Sequence, residues 1–378
     1  MSIIGKNIQQ PQGFQAFIPE PFPPAKDIEM SRQVIIKHNE ALRLLGVLDG
    51  ITRFLPDRDL FLTMFIRKDA SNSSAIEGTN ATMEESIEYE NIEKNKNIPD
   101  DVDDILHYIK ALDFGIEQSK TTSFSLRFIC DLHSKLMTNA RVTQNPFPGE
   151  FRRTQNWIGG TRPDNAQFVP PPVHEMKRAL GDLENFIHAD DNYLPLIKAG
   201  LLHAQFETIH PFNDGNGRTG RMLITMFLLF KNIIDTPALY LSAYFKQHQK
   251  LYYQKIHGYH NDEIEEWLLF FLEGLIEVAQ SSIDSCEKII HLRDEDLLKI
   301  HSLSKRASES SLLVLTNLYT MPIVGVADVM RWAGATKQGA YVIINRLVEE
   351  LNILQPLYNG DSVYRQKWVY KKYLDIFN

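Results

Sequence analysis

The chain has 378 residues, a formal net charge of -8 and 43% hydrophobic residues, enough for two or three domains of roughly 100–200 residues each. Acidic and basic residues are interspersed, which argues against general binding to nucleic acid or to an anionic membrane surface and leaves room for a local basic patch. Only Cys130 and Cys286 are present, far apart and in no metal-like spacing. Neither a disulfide framework nor a zinc site is expected, and a reducing, cytoplasmic setting fits best.

From the N-terminus, Met1 to Phe14 has no apolar run flanked by basic residues and does not read as a signal peptide. Glu20 to Pro24 is proline-rich and should run extended. Apolar residues at helical spacing predict helices at Ser31–Leu48 and Asp57–Ile66, and Thr82 with Glu85 predicts a capping box for Met83–Lys94. Helices at Asp100–Glu117 and Ser125–Thr138, the latter capped by Ser125, end at Asn145-Pro146-Phe147-Pro148-Gly149. Between Glu150 and Pro172 the helical period is absent. Gln155–Ile158 and Gln167–Val169 read there as two strands around a turn at Pro163-Asp164-Asn165, an exposed hairpin.

Helices resume at Val173–Ile187 and Leu196–Ile209. Met222–Phe230 is apolar on all faces, as a central helix is. It is about half of the roughly 20 residues a membrane span requires, so no membrane is expected. Ser308-Glu309-Ser310-Ser311 reads as a polar junction with caps for the next helix. Beyond it, helices at Leu312–Tyr319, Val326–Trp332 and Lys337–Leu351 form a helix-turn-helix around Gly334-Ala335-Thr336. Strands at Leu354–Tyr358 and Ser362–Val369 flank Asn359-Gly360, a strong hairpin turn. The expected architecture is mainly α: an N-terminal helical region over residues 1–115, a helical core with a β-hairpin over 116–305, and a segment resembling a winged helix over 306–378.

The chemistry concentrates between His210 and Arg221. Two glycines, Gly215 and Gly217, let successive backbone amides turn inward as an anion-binding nest. The following helix starts near Arg218 and adds its unpaired amides and dipole. Arg218 and Arg221, three apart on the first turn, sit where cations are disfavoured unless an anion is bound, so a ligand with several phosphates is expected. Asp214 suits magnesium, which takes one or two carboxylates together with phosphate oxygens. His210 can act as a base near neutral pH. Phe212 reads as an apolar anchor for the loop. Gly215, Gly217 and Gly220, with Asp235 further on, also match a dinucleotide-binding spacing, but they follow a helix where that motif needs a strand. A P-loop is excluded because no lysine followed by serine or threonine closes the glycine stretch.

The run His210-Pro211-Phe212-Asn213-Asp214-Gly215-Asn216-Gly217-Arg218, completed by Arg221, resembles the signature of the Fic family, His-x-Phe-x-Asp/Glu-Gly-Asn-Gly-Arg-x-x-Arg. The resemblance extends to the N-terminal helices, the hairpin and the winged helix, and implies a Fic-type helical bundle. It implies transfer of AMP from ATP to a serine, threonine or tyrosine hydroxyl of a target protein, with His210 deprotonating the target and Asp214 holding Mg²⁺. The amides of Gly215 to Gly217, with Asn216 and Arg218, would hold the phosphates, and Arg221 the γ-phosphate. The whole run, Pro211, Phe212 and Asn213 included, is then the nucleotide-binding segment, and Gln205 and Gln247 match positions lining the family's nucleotide pocket. The hairpin 155–169 would align the target by strand addition.

Ser73-Ser74-Ala75-Ile76-Glu77-Gly78 resembles the family's inhibitory motif, with Ser73 as its serine, which implies that Glu77 pairs with Arg221 and occupies the charge that should orient the γ-phosphate. An ordinary helix end capped by Gly78 is the other reading. Gly217 favours AMP transfer over phosphorylation, because the phosphorylating branch resembles this loop but carries lysine there. Removal of AMP at the same site is a further reading. A DNA-binding regulator acting through the winged helix is another, resting on Lys337, Arg346, Arg365 and Lys367. The winged helix is expected to dock either DNA or protein, and a homo-oligomer is a further expected assembly. His257 and His260 read as surface residues without a metal.

Overall fold

The computed structural model describes residues 3–24, 28–55, 58–90, 98–138, 147–189, 191–357 and 366–377. Helix starts follow the local capping chemistry. Ser31 Oγ accepts the Val34 amide at 3.3 Å and opens α1, Arg32–Thr52. The Thr82 amide donates to Glu85 Oε2 at 2.8 Å and the Glu85 amide to Thr82 Oγ1 at 3.1 Å, the expected capping box of α3, Met83–Glu90. Ser125 Oγ accepts the Phe128 amide at 3.3 Å at the head of α5, Leu126–Met137. Asp57 and the expected tail of α3 to Lys94 lie outside the described residues, as do Asn145-Pro146 and Asn359-Gly360.

The centre is made by α7, Pro195–Ile209, and α8, Asn216–Phe230, both buried around nearly their whole circumference. Around α7 stand α6, Val173–His188; α10, Gln249–Tyr259; and α11, Ile264–His301. Against α8 pack α5; α4, Asp100–Gln118; and α2, Arg58–Ile76. The short α9, Leu241–Gln247, lies on α2, and α1 runs along α11. At 38 residues α11 is about 57 Å long at 1.5 Å per residue, and it reaches from the centre to the C-terminal helices.

Several elements differ from the sequence reading. α2 continues ten residues beyond Ile66, through the polar run Ser71-Asn72-Ser73-Ser74. That run looks like a helix end, but Asn72 and Ser73 are engaged, the first with Lys68 O and the second with Arg221. An unforeseen hairpin opens the chain: β1, Gly5–Gln9, pairs antiparallel with β2, Gln15–Pro19. Its anchors are distant in sequence. The Ile3 and Ile4 amides donate to Asp262 Oδ1 at 2.9 and 3.0 Å, and the Phe17 amide donates to Val169 O at 2.9 Å.

The expected two-stranded ladder at 155–158 and 167–169 shrinks to a single antiparallel bridge, Ile158 with Phe168, closed by a 3-10 turn at Pro163–Asn165. The chain does double back as a hairpin, but side-chain bonds replace the ladder. Gln155 Nε2 donates to Pro170 O, and Asn156 Nδ2 to His210 O and Phe212 O.

Ser308–Ser311 is not a junction. It lies inside α12, Lys305–Leu318, where Arg346 Nη1 donates at 3.4 Å to Ala307 O, Ser310 Oγ and Ser311 Oγ. The break in the chain falls instead at Ser302–Ser304, ahead of α12. Beyond α12 stand β3, Ile323–Gly325; α13, Val326–Ala333; and α14, Lys337–Asn345, continued by a π-helical turn Arg346–Glu350. β4, Gln355–Pro356, and β5, Lys367–Val369, complete an antiparallel sheet in the order β3-β5-β4, with β3 unforeseen. A final turn, α15, is Lys371–Leu374. This C-terminal unit packs on the middle of α2. Phe61 meets Tyr319 with ring centroids 4.5 Å apart, Phe65 meets Phe377 at 5.2 Å, and Arg67 Nη1 donates to Thr320 O. Arg346 and Lys367, two cations of the basic set considered for DNA, turn toward protein, Lys367 pairing with Glu88 at 3.4 Å. Among the described residues no helix is long and apolar enough to cross a membrane, and both cysteines are free.

Candidate active site

The loop between α7 and α8 is positioned by a buried aromatic plug. Phe212 is fully buried and its ring lies parallel to that of His133 from α5, 3.7 Å between centroids, with Phe151 at 5.2 Å. Its side chain therefore anchors the loop, and its amide and carbonyl are engaged by Asn216 and Asn156. His133 accepts the Gly149 amide at Nδ1, so Nε2 carries the proton and donates to Asp214 O at 2.9 Å. Burial pushes His133 down to about 4, which keeps it neutral in this role.

Asn216 closes the loop from within. Its Oδ1 accepts the Phe212 amide and its Nδ2 donates to Phe212 O, both at 2.8 Å. Any contribution of Asn216 to an anion thus comes through its backbone amide, because its carboxamide is committed to Phe212. Gly215 adopts φ +74, the left-handed turn into α8. The first intrahelical bond of α8 is Thr219 N to Gly215 O at 2.9 Å, so the amides of Asn216, Gly217 and Arg218 stand at the open, positive end of the helix.

His210 ends α7 in the left-handed region, φ 47 and ψ 61. Arg152, missed in the sequence, is buried beside it. Its Nε donates to His210 O at 3.0 Å, Nη2 to Pro171 O at 2.5 Å and Nη1 to Thr154 O at 3.2 Å, while its amide donates to Pro211 O at 2.9 Å. One guanidinium thereby pins the hairpin's base to the loop. Burial, and then the Arg152 charge, push His210 down to about 4, so it is a neutral imidazole over the physiological range.

On the far side of the loop the two arginines diverge. Arg218 is buried against α4, its Nη1 3.3 Å from Asp104 Oδ1 and its Nη2 3.7 Å from Met137 Sδ. Arg221 reaches α2. Its Nε donates to Ser73 Oγ at 2.8 Å, and its Nη2 to Ser73 O at 2.9 Å and to Glu77 Oε1 at 2.7 Å. Burial opposes the Glu77 charge, but Arg221, with Arg218 and His210 behind it, holds the carboxyl below the usual range. Gly217 makes the pair sterically feasible, since a methyl at this position would overlap Glu77 Oε1. Gly78 ends α2 at φ +95, so the same segment is also an ordinary capped helix end. Lys246 Nζ and Gln249 Nε2 donate to the terminal carbonyls Ala75 O and Ile76 O, each at 2.9 Å.

These groups open on a cleft of about 530 Å³. Glu77, Glu207, His210, Gly217 and Arg221 line its floor, Tyr252, Tyr253 and Ile256 of α10 one wall, and Trp157, Ile158 and Phe168 of the hairpin the other. His260 is buried under the hairpin, stacked on Phe168 at 4.2 Å, and not a surface residue as the sequence suggested. Gln205 is also buried, and its Oε1 accepts the Tyr259 hydroxyl at 3.3 Å. Gln247 is exposed at the end of α9 and does not line this cleft.

Asp214 Oδ1 accepts the Gly215 amide at 2.6 Å, which fixes its carboxylate at the mouth of the nest. Among the described residues no three acidic, histidine or cysteine side chains gather as a metal cage. A single carboxylate beside a phosphate nest fits magnesium, which keeps waters and takes phosphate oxygens, and does not fit a protein-only metal centre. Of the residues missed, Glu207 carried a local signal, three positions before His210 on one helix face. Arg152, His133, Asp104, Lys246 and Gln249 meet their partners only through the fold.

A model of the Fic/DOC family matches residues 123–228 and one of the Fic/DOC family N-terminal region matches residues 35–117, together half of the chain. The protein adenylyltransferase Fic of Culex quinquefasciatus is 26% identical over 157 residues, 41% of this chain and 28% of that protein. The protein of the same name from Drosophila grimshawi is 32% identical over 107 residues, 28% of this chain and 20% of its own length. The chain thus spans less than a third of the length of these curated relatives. Among solved structures, a Fic family protein from Desulfovibrio desulfuricans G20 superposes with a TM-score of 0.58 at 17% identity, covering 91% of this chain and 97% of that one. Residues 134–508 of Fic-1 from Caenorhabditis elegans superpose with a TM-score of 0.50 at 18% identity, covering 69% and 74%. Both likenesses concern the fold, and with the two matched segments they place the chain in the Fic/DOC family.

Proposed function

We propose that the chain is a protein adenylyltransferase, transferring AMP from ATP to a hydroxyl side chain of a target protein, and that Glu77 holds it off. The observation that carries this reading is the contested Arg221, paired with Glu77 at 2.7 Å in the cleft that also contains His210 and the open end of α8. The relatives from Culex quinquefasciatus and Drosophila grimshawi are named for the same transfer.

In the proposed reaction the α8 amides and Arg221 seat the triphosphate, and the wall of Tyr252, Tyr253 and Ile256 seats the base. Magnesium held by Asp214 would neutralise charge on the phosphates. His210 Nε2 takes the hydroxyl proton as the hydroxyl oxygen attacks the α-phosphorus. A new oxygen–phosphorus bond forms, the bond to the β-phosphate's bridging oxygen breaks, and pyrophosphate leaves. Because the Phe17 amide engages Val169 on one limb of the hairpin, the target strand adds along the limb at 155–158. With Glu77 on Arg221, the γ-phosphate loses its cation and the α-phosphorus is presented out of line.

Transfer from α-labelled ATP to a cell lysate tests both parts. Glu77→Gly should label more than the parent, and His210→Ala in that background should lose roughly 10²- to 10⁴-fold of the rate, the range of a general base. Equal labelling by Glu77→Gly and the parent would remove the brake, and undiminished labelling without His210 would remove the base.

A further inference from the structure

Glu207 lies in the last turn of α7, three residues before His210, and both side chains line the cleft. Glu207 Oε2 is 3.9 Å from His210 Nδ1, with the side chains 11% and 19% exposed. Glu207 Oε1 and His210 Nδ1 are both buried and have no hydrogen-bond partner. A carboxylate oxygen, Oε2, about 1 Å beyond bonding distance of the unpartnered Nδ1 is what a catalytic hydrogen bond looks like before its complex tightens.

The Glu207 backbone carbonyl also faces the His210 ring, and Glu77 and Asp214 reach it with negative charge. Gly220 leaves space for Glu207, since a methyl on its Cα would overlap Glu207 Oε1. Arg221 of α8 and Glu77, one residue past α2, face Glu207 with opposite charges, and Tyr252 of α10 lies against it. Arg152 faces His210 and donates only to carbonyl oxygens in its bonds around the loop. An Nδ1–H aimed at Glu207 leaves the Nε2 lone pair on the opposite side of the imidazole ring.

We propose that Glu207 is the positioning residue of His210: it accepts Nδ1–H, selects the tautomer with a bare Nε2 facing the target hydroxyl, and steadies the imidazolium formed when that proton arrives. This deepens the adenylyl-transfer reading and rests on it for the identity of the hydroxyl. The tautomer itself does not depend on that reading. No further atom is consumed, because the proton moves from hydroxyl to Nε2 and Glu207 keeps its carboxylate throughout. Burial, with Glu77 adding to it and Arg221 opposing it, pushes the Glu207 carboxyl up to about 7. The acceptor form therefore becomes available as pH rises through neutrality.

The test uses the full chain carrying Glu77→Gly, with and without Glu207→Gln or Glu207→Ala. Nitrogen-15 spectra of labelled histidine, assigned by loss of the His210 signal in His210→Ala, should show His210 protonated at Nδ1 with Glu207 present. That preference should be lost in Glu207→Ala. In transfer assays Glu207→Gln should lower kcat by roughly 10- to 10²-fold, part of a general base's contribution, with KM for ATP within twofold. The acid limb of kcat/KM should move to lower pH when the Glu207 carboxyl is replaced. An Nε2-protonated His210 with Glu207 present overturns the proposal, as do an unmoved acid limb and a kcat within twofold of the Glu77→Gly chain. If no variant transfers AMP while the tautomer is as stated, the functional reading falls and the positioning role stands.

Discussion

The loop from His210 to Arg221 and the hairpin from Gln155 to Val169 face each other across one cleft and are built in opposite ways. The loop is over-determined: Phe212 is buried under His133, Asn216 bonds Phe212 twice, and Arg152 donates to the Ile209 and His210 carbonyls at its entrance. The hairpin has one bridge, and its Trp157 and Ile158 are 39% and 37% exposed. The contrast separates two tasks. Phosphate chemistry needs groups fixed to within a fraction of an ångström, while a surface that receives another chain through its backbone keeps an edge unpaired.

Acid should break the comparison most severely, because it acts under both walls, on His133 and His210 at the loop and His260 beneath the hairpin. His133, His203, His210 and His260 are pushed down from 6.5 to about 4, 3, 4 and 3, in each case first by burial. Their folded values lie below the unfolded value, so stability is present above pH 6.5 and is lost as pH falls, when the unfolded chain takes protons the native chain refuses. Glu207 runs the other way. Raised from 4.5 to about 7, it holds a proton that the unfolded chain has released, and so offsets one histidine between about pH 4.5 and 6.5. Three protons remain, a slope of at most about 4 kcal/mol per pH unit. Urea midpoints at pH 7.5, 6.0 and 5.0 should fall steeply; a flat series would mean these histidines are charged in the native state.

Next in size, Phe212→Ala should cost about 3–5 kcal/mol, the usual penalty for a buried phenylalanine, measured by urea unfolding. A loss below 1 kcal/mol would show that the loop is held without its plug. Smallest in stability, Ile158→Ala should change unfolding by no more than about 0.5 kcal/mol while raising KM for the target protein and leaving KM for ATP alone. Equal changes in both constants would dissolve the division between the two walls.

What was legible in the sequence follows the same division. The run from His210 to Arg221 and the pair of Ser73 and Glu77 could be read because their chemistry is packed into a few neighbouring positions, and the fold then joins the two segments. Thr82 with Glu85 and the caps Ser31 and Ser125 were readable for the same reason. Arg152, Asp104 and His133 were not, since nothing near them in the chain says that His210, Arg218 and Asp214 will be their partners. The serines at 308–311 misled because a polar cluster inside a helix looks like a junction until Arg346 is seen resting on it.

The backbone of His210 places a condition on the position that its imidazole alone does not. At φ 47 it occupies the left-handed region, which histidine, asparagine and aspartate enter far more readily than β-branched or bulky residues do. Two filters act there together, one for a side chain that can hold a proton and one for a main chain that tolerates this twist. A threonine or valine would fail the second filter before the first was tried. Glycine would pass the second and leave the turn intact but without its base, so the fold of this corner and its reactivity can be separated by a single substitution.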